Sequence, residues 1–204
     1  YAGVPTHVLA DSNRYFLRSP DGIVAVFAPV TQHSPGTPQP PWPCVAVIDR
    51  LGQQLRHVYD AQGHLLAQID SAGRVFKPIR RTDSGRRLAG VWLAHDPVTA
   101  GADAAPLTDE QLAKFLAAPL PDIEAPGGRW LVRYRYHGAD LTEVIDALGQ
   151  IRRRFGWRHH VMVSHQLAGG LLCEYEYDHY RPSGRVVREV VDGFELRFDY
   201  EAQA

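Results

Sequence analysis

Three histidines that lie close together in the sequence are the residues best suited to bind a metal ion or to transfer protons. His159 and His160 are adjacent, and His165 follows them. If residues 159–165 form a strand that rises about 3.3 Å per residue, the rings of His159 and His165 lie roughly 20 Å apart. Adjacent residues of a strand point to opposite faces, which separates His159 from His160 as well. The spacing therefore predicts no metal site, and these histidines are expected at the surface or in hydrogen bonds.

Two basic segments could bind phosphate groups, but neither carries a recognisable motif. Lys77–Arg87 contains five basic residues in eleven, and we expect it to form a solvated loop. The side chains of Arg152–Arg154 alternate between the two faces of a predicted strand. Charges placed in this way can pair with acidic residues across neighbouring strands, so a structural role is predicted for them.

Neither the glycines nor the hydroxyl-bearing residues form a catalytic or nucleotide-binding motif. The pairs Gly127-Gly128 and Gly169-Gly170 lack the spacing of dinucleotide-binding and phosphate-binding loops, and we expect both in turns. Ser164 does not lie in a Gly-x-Ser-x-Gly sequence. The sequence thus predicts a protein without enzymatic activity, without catalytic residues and without cofactors or metal ions.

The composition is typical of a folded protein and indicates neither a nucleic-acid partner nor direct membrane contact. The chain has 204 residues, a formal net charge of −1 and 45% hydrophobic residues, whereas nucleic-acid binders usually carry a basic excess. It has no apolar run of about 18 residues that could cross a bilayer. Cys44 and Cys173 form no Cys-x-x-Cys pair, so we expect two reduced, partly buried thiols. The chain begins with Tyr1 and shows no signal-peptide pattern, and we expect it to be a piece of a longer protein.

Two sequence markers recur with a period near 21 residues, which chance rarely produces. The first marker, Ile-Asp-x-x-Gly, occurs at Ile48–Gly52, Ile69–Gly73 and Ile145–Gly149. The second marker is a pair of aromatic residues separated by one residue. The second members of these pairs, 21, 20 and 23 residues apart, are Tyr136, Trp157, Tyr177 and Tyr200.

Each repeat has the pattern of a β-hairpin. In residues 171–177, Cys173 and Tyr175 fall on one face of a strand and Glu174 falls on the other, which indicates an antiparallel sheet with one solvated face. Asp at the first position and Gly at the fourth favour a tight turn. The sequence therefore predicts an all-β, mainly antiparallel fold of repeated hairpins of about 21 residues. The residues assigned to this structural repeat are Asp49, Gly52, Tyr59, Asp60, Gly63, Asp70, Gly73, Tyr134, Tyr136, Asp146, Gly149, Trp157, Tyr175, Tyr177, Asp178, Gly184, Phe198 and Tyr200.

Two segments interrupt the hairpins. Thr31–Pro43 is rich in proline and is expected to be an extended loop. Later in the chain, Thr108 and Gln111 have the spacing of a helix capping box, and an apolar stripe follows them. A short helix ended by Pro119 is predicted there, after a probable strand at residues 86–94. The predicted divisions are a lead-in at 1–44, hairpins at 45–76, an insertion with strand and helix at 77–128, and hairpins at 129–204.

The repeat resembles the Tyr-Asp (YD) repeat of the Rhs family. The resemblance is carried by Tyr59–Phe76 and by the long run Tyr134–Tyr200, and it covers residues 45–76 and 129–204 best. Two positions depart from the family pattern. His137 follows Tyr136 where the motif has aspartate, and Asp192-Gly193 has no two-residue spacer.

The resemblance implies a structural function in a bacterial toxin. Rhs shells are spirals of hairpins that enclose a toxin carried at the C-terminus of the same protein, and many are delivered into competing bacteria by type VI secretion. The implied partners are the remainder of the shell, its toxin cargo and a type VI secretion spike. The implied location is the bacterial cytoplasm before export, and then the target cell. No toxin domain or self-cleavage motif is found in this sequence.

Two other readings of the sequence remain open. The chain could be a carbohydrate- or protein-binding β module in which Trp92, Trp130 and Trp157 stack on a ligand from the face of a sheet. It could also be a small hydrolase or nuclease that uses His159 or His160, although no surrounding motif supports that reading.

Overall fold

The computed structural model of the chain describes residues 7–11, 13–29, 42–81, 87–99, 107–118 and 129–200. These residues form fifteen β-strands and one α-helix, which confirms the predicted all-β fold with one helical insertion. The chain divides into two compact units. The first comprises Tyr1–Pro78 and Trp92–Leu120, and the second comprises Ile79–Val91 and Pro121–Ala204.

Seven strands lie wholly or mostly in the first unit, and each of the first six pairs in antiparallel fashion with the next strand along the chain. This order is that of consecutive hairpins. The strands are β1 (His7–Asp11), β2 (Arg14–Arg18), β3 (Val24–Phe27), β4 (Cys44–Ile48), β5 (Gln54–Tyr59), β6 (Leu65–Asp70) and β7 (Val75–Arg80). A further strand, β8 (Leu88–His95), contributes residues to both units.

The second unit contains seven more strands, which also pair in antiparallel fashion in chain order. They are β9 (Trp130–His137), β10 (Asp140–Asp146), β11 (Ile151–Arg158), β12 (Val161–Leu167), β13 (Leu172–Tyr177), β14 (Val186–Val191) and β15 (Phe194–Arg197). In β13 the exposed residues alternate with less exposed ones, and Cys173 is buried while Glu174 is exposed. The alternation predicted for this strand is therefore confirmed.

The helix α1 (Asp109–Ala117) covers the core of the first unit. The core consists of Ala67, Ile69 and Val75, whose exposed fractions are 0, 4 and 0%. Three residues of α1 pack against them, together with Val58, Ala94 and Leu107. The three helix residues are Leu112, Phe115 and Leu116.

The predicted start of the helix is confirmed. The Thr108 hydroxyl accepts a hydrogen bond from the Gln111 amide, and the Gln111 side chain accepts one from the Thr108 amide. This reciprocal pair satisfies two amides at the helix start. Pro119, predicted to end the helix, lies outside the described residues, and the helix ends at Ala117.

Other sequence expectations can be placed on this structure. The strand predicted at residues 86–94 is β8, which begins at Leu88. The Pro-rich segment Thr31–Pro43 lies outside the described residues except for its last two positions. Both cysteines are free thiols, with Cys173 buried and Cys44 partly buried, as predicted. Among the described residues, no helix is long and apolar enough to span a membrane.

Candidate functional site

The Asp-x-x-Gly segments are tight hairpin turns that share one geometry. In the turn that begins at Asp146, the Gly149 amide donates to the Asp146 carbonyl at 3.0 Å, and the Asp146 amide donates to the Gln150 carbonyl at 2.9 Å. Gly149 has a φ of +79°, which only glycine adopts at little cost. The same backbone bonds and glycine conformation occur in the turns Asp49–Gly52, Asp60–Gly63 and Asp70–Gly73. The arrangement is a type I turn followed by a glycine bulge.

The aspartate side chain completes each of these turns. Oδ1 of Asp146 accepts hydrogen bonds from the Leu148 and Gln150 amides, both at 2.9 Å. The corresponding oxygens of Asp49, Asp60 and Asp70 accept the equivalent pairs of amides. A short side chain with an acceptor oxygen is required for this, because it must bond its own backbone two residues further on. The repeated aspartate is therefore a turn-forming residue.

Asp178 closes a longer loop in the same manner. Its Oδ1 accepts from the His179 amide at 2.7 Å and from the Arg185 amide at 3.0 Å. The Asp178 amide donates back to the Arg185 carbonyl at 3.1 Å. Gly184 sits inside the loop, where an added Cβ would collide with the carbonyl oxygen of His179. The loop thus depends on a glycine for space.

Hydrogen bonds from backbone amides lower the pKa of two of these aspartates, Asp60 and Asp178. The amide of His64 is the largest influence that lowers the pKa of Asp60, and the imidazole of His64 adds to it. The amide of Arg185 is the largest influence that lowers the pKa of Asp178. In both cases partial burial opposes the shift. Hydrogen bonds of this kind favour the charged carboxylate, so both side chains stay ionised well into the acid range.

The second aromatic residue of each pair makes a long-range hydrogen bond to the backbone. Tyr177 lies at the end of β13, and its hydroxyl donates to the carbonyl of Met162, near the start of β12, at 2.8 Å. Four more aromatic residues link the end of one strand to the start of the strand before it. They are Tyr59 to the Cys44 carbonyl (2.8 Å), Tyr136 to Leu88 (2.9 Å), Trp157 to Leu141 (2.6 Å) and Tyr200 to Val186 (2.8 Å).

These bonds explain why aromatic residues recur with the turns. In the hairpins β4–β5, β10–β11, β12–β13 and β14–β15, a turn closes one end and the aromatic hydrogen bond links the chain at the open end. Tyr136 makes the same kind of bond from β9 to β8, although these two strands are joined by the insertion that contains α1. In Tyr59-Asp60 and Tyr177-Asp178, the tyrosine bonds back to the preceding hairpin while the aspartate builds the next turn. The Tyr-Asp pair is thus a junction between consecutive hairpins.

The first aromatic residues of the pairs have less uniform contacts. Tyr175 stacks on His165, with ring centroids 6.0 Å apart, and its hydroxyl lies 3.1 Å from the His165 Nδ1 atom. Tyr134 is partly buried and has no hydrogen-bond partner among the described residues. Phe198, near the end of the described chain, is bound through its amide, which donates to the Val187 carbonyl at 3.1 Å.

The prediction of a strand at residues 159–165 is wrong for its first two residues, His159 and His160. These residues form the two-residue turn between β11 and β12, with φ values of +51° and +64°. A type I′ turn requires this backbone geometry and suits the twist of the two strands. His160 therefore leaves the sheet, and its Nδ1 atom lies 2.9 Å from the Asp140 carboxylate. In the part of the chain that the structure describes, no three His, Cys, Asp or Glu residues could hold a metal ion.

Most of the basic residues singled out in the sequence have structural partners. Arg154 lies across the strand pair from Glu143, which also accepts from Arg135 at 3.0 Å. Arg152 lies 3.8 Å from the Asp146 carboxylate. In Lys77–Arg87, residues 82–86 lie outside the described residues. Lys77 itself is buried, which corrects the prediction of a solvated loop at this position.

The tryptophans proposed as a ligand-stacking surface are not equally accessible. Trp130 is only 3% exposed. Trp157 is partly buried and its indole N–H is already bonded to a carbonyl. Trp92 is partly buried as well. Stacking on a sugar needs an open ring face, and Trp130 does not offer one.

Two turns of the same geometry lack aspartate, and sequence inspection missed the one at Ser19–Gly22. Ser19–Gly22 and Leu167–Gly170 show the same pair of backbone hydrogen bonds, and each ends in a glycine with positive φ. Gly170 accounts for the predicted turn at Gly169-Gly170, whereas Gly127-Gly128 lies outside the described residues. The spacing of the glycine, rather than the aspartate, was the signal that could have revealed these turns.

Comparison with known proteins relates the chain to a toxin. No family model matches it. The chain is 33% identical over 191 residues to toxin protein Tse5 of Pseudomonas aeruginosa, a match that covers 88% of this chain and 12% of that protein. The chain therefore spans a small part of the length of this curated relative. It is related to a segment of a bacterial toxin protein.

Proposed function

We propose that this chain is a non-catalytic wall segment of an Rhs-type toxin shell. The observation that carries the proposal is a hairpin unit that occurs four times, with a glycine-containing turn at one end and an aromatic hydrogen bond at the other. The relation to a segment of a toxin protein supports the same reading. In this role the segment adds sheet area to a shell that encloses the toxic domain of a longer protein.

The side chains of the repeat support a structural rather than a catalytic role. The Oδ1 atoms of the turn aspartates accept hydrogen bonds from backbone amides, and the aromatic hydroxyls donate hydrogen bonds to backbone carbonyls. These hydrogen bonds give each of these side chains a structural role in the hairpin. The partner of such a segment is therefore more protein of the same kind, together with the enclosed toxin.

The edge strand β15 supports the need for further sheet. Phe194 and Leu196 are 81% and 55% exposed. An edge strand with exposed apolar residues is prone to pair with another strand. We infer that the neighbouring wall of the shell covers this edge in the parent protein. The parent protein would be made in the bacterial cytoplasm and delivered to a competing cell, by way of a type VI secretion spike.

Protease protection of the toxic domain in the parent protein tests the proposal. The parent is compared with a variant that carries Asp146→Ala and Gly149→Val, which breaks one turn of the wall, and with the surface control Lys114→Met. We expect the toxic domain to resist protease in the parent and in the control, and to be digested in the turn variant. Equal digestion of the toxic domain in all three proteins would show that the segment does not enclose it.

A second experiment addresses the non-catalytic part of the proposal. The chain is expected to show no hydrolytic activity on ester, phosphodiester or glycosidic substrates. If an activity is found that disappears in His160→Ala while the fold is retained, the His160–Asp140 pair is a catalytic site and the purely structural role is wrong.

A further inference from the structure

The helix α1 is fastened to the sheet of the first unit by a buried lysine. Lys77 lies in β7 and is 7% exposed. Its ammonium group donates to the carbonyls at the C-terminal end of the helix, namely Phe115 at 3.0 Å, Leu116 at 3.0 Å and Ala118 at 3.3 Å. These carbonyls have no partner within the helix, because the last turn of a helix leaves its acceptors unpaired.

The choice of lysine at this position has a chemical reason. The chain contains twenty arginines and two lysines, Lys77 and Lys114. An ammonium group is compact and has three donors that can point to three separate carbonyls, whereas the planar guanidinium of arginine suits two parallel acceptors. A cation is also favoured by the negative end of the helix dipole. Burial lowers the pKa of Lys77. The three carbonyls give the ammonium group hydrogen bonds in place of part of the hydration that it loses.

The helix has little stability of its own. It is nine residues long, and isolated helices shorter than about 12–15 residues are marginal in water. None of its residues is buried, although the sheet residues beneath it are 0–4% exposed. Among the described residues, the helix is held by its capping box, by three apolar side chains, by the stacking of Phe115 on His95 with ring centroids 4.5 Å apart, and by Lys77. The docked helix therefore shields the sheet residues Ala67, Ile69 and Val75 from water.

We propose that α1 is a removable strap and that Lys77 is the latch that holds it against the sheet. When the strap opens, the helix unwinds and leaves Lys77, and the apolar strip of Ala67, Ile69 and Val75 becomes accessible while the strands remain paired. This device does not depend on the proposed function in a toxin shell.

Amine acetylation of the full chain measures the opening directly, because the chain has only two lysines. Lys114 is 73% exposed and reports the unprotected rate, whereas Lys77 reacts only when the strap opens. The rates at the two residues are followed by peptide mass spectrometry at low urea concentrations. Local opening exposes little surface and its rate changes little with urea, whereas global unfolding accelerates steeply. We expect Lys77 to react much more slowly than Lys114 and at a rate nearly independent of urea.

Two variants test whether the acetylation rate of Lys77 depends on the stability of the helix. Thr108→Ala removes the exposed helix cap without touching the sheet, and we expect Lys77 to react about fivefold faster, equivalent to about 1 kcal/mol. Glu110→Gln is the matched control on the same helical turn. It removes the exposed ion pair with Lys114 and one of the two acidic side chains in the first turn, and leaves the cap in place. A change of about twofold or less at Lys77 is expected.

Three results would contradict the proposal that α1 is a removable strap held by Lys77. The first is a Lys77 rate that rises with urea as steeply as amide exchange in β6, because the lysine is then released only by global unfolding. The second is a Lys77 rate that Thr108→Ala leaves unchanged. The third is a Lys77 rate equal to that of Lys114, because the lysine is then not latched at all.

Discussion

Replacement of Tyr177 by phenylalanine isolates the aromatic hydrogen bond that the repeat depends on. The change keeps the ring and removes only the hydroxyl, which donates to the Met162 carbonyl at 2.8 Å. A net loss of about 0.5–1.5 kcal/mol is typical for one intramolecular hydrogen bond. Tyr177 is partly buried, and this burial raises the pKa of its hydroxyl. Because water can replace the lost donor only in part, we expect about 1 kcal/mol.

Urea unfolding followed by tryptophan fluorescence measures this loss. With a slope of about 2 kcal/mol per molar urea, a loss of about 1 kcal/mol lowers the unfolding midpoint by about 0.5 M without changing the slope. Tyr134→Phe is the matched control, because Tyr134 lies in an equivalent aromatic pair but its hydroxyl has no partner among the described residues. If both variants lower the midpoint equally, the aromatic hydrogen bond is not what selects a tyrosine at the second position.

Three further changes test the turns. Asp146→Ala should cost about 1 kcal/mol and speed hydrogen exchange of the two amides that Asp146 accepts, whereas Asp146→Asn should cost less because it keeps an acceptor oxygen. Gly184→Ala should destabilise the chain by about 2 kcal/mol or more in urea unfolding, since its Cβ would meet the backbone, whereas Gly169→Ala has open space around it and should change stability little. Because the pKa of Asp60 is lowered in the folded chain, its stabilisation is present above about pH 4 and is lost as the pH falls through its folded value. Asp60→Asn should therefore reduce the fall in urea midpoint between pH 7 and pH 3, and an unchanged fall would refute this assignment.

The hairpins and their turns could be predicted because they depend on local sequence. Asp146 and Gly149 act within five residues of each other, so their spacing alone specifies the turn. The helix cap formed by Thr108 and Gln111 is equally local. Strand alternation was readable for the same reason, because a strand with one buried face repeats every two residues.

The contacts that escaped prediction join residues far apart in the chain. Lys77 reaches the end of α1 across about forty residues, and nothing in its own sequence neighbourhood marks it as buried. The aromatic hydrogen bonds have the same character. The spacing showed that Tyr177 recurs, but only the paired strands show that Met162 lies within its reach. His159 was misassigned because a two-residue turn of two histidines lacks the glycine or asparagine that usually signals it.

The departures from the Tyr-Asp pattern follow from the turn that comes next. Tyr59 and Tyr177 precede turns that an aspartate side chain completes, and aspartate follows each of them. Tyr136 and Trp157 instead precede two-residue turns, at residues 138–139 and 159–160. The chain reverses there with a positive φ at Gly138 in the first turn and at both histidines in the second, and no side-chain acceptor is needed. The aromatic hydrogen bond persists in all four cases, whereas the aspartate is present only where the turn uses it. The aromatic residue is therefore the fixed part of the repeat, and the residue after it varies with the length of the following turn.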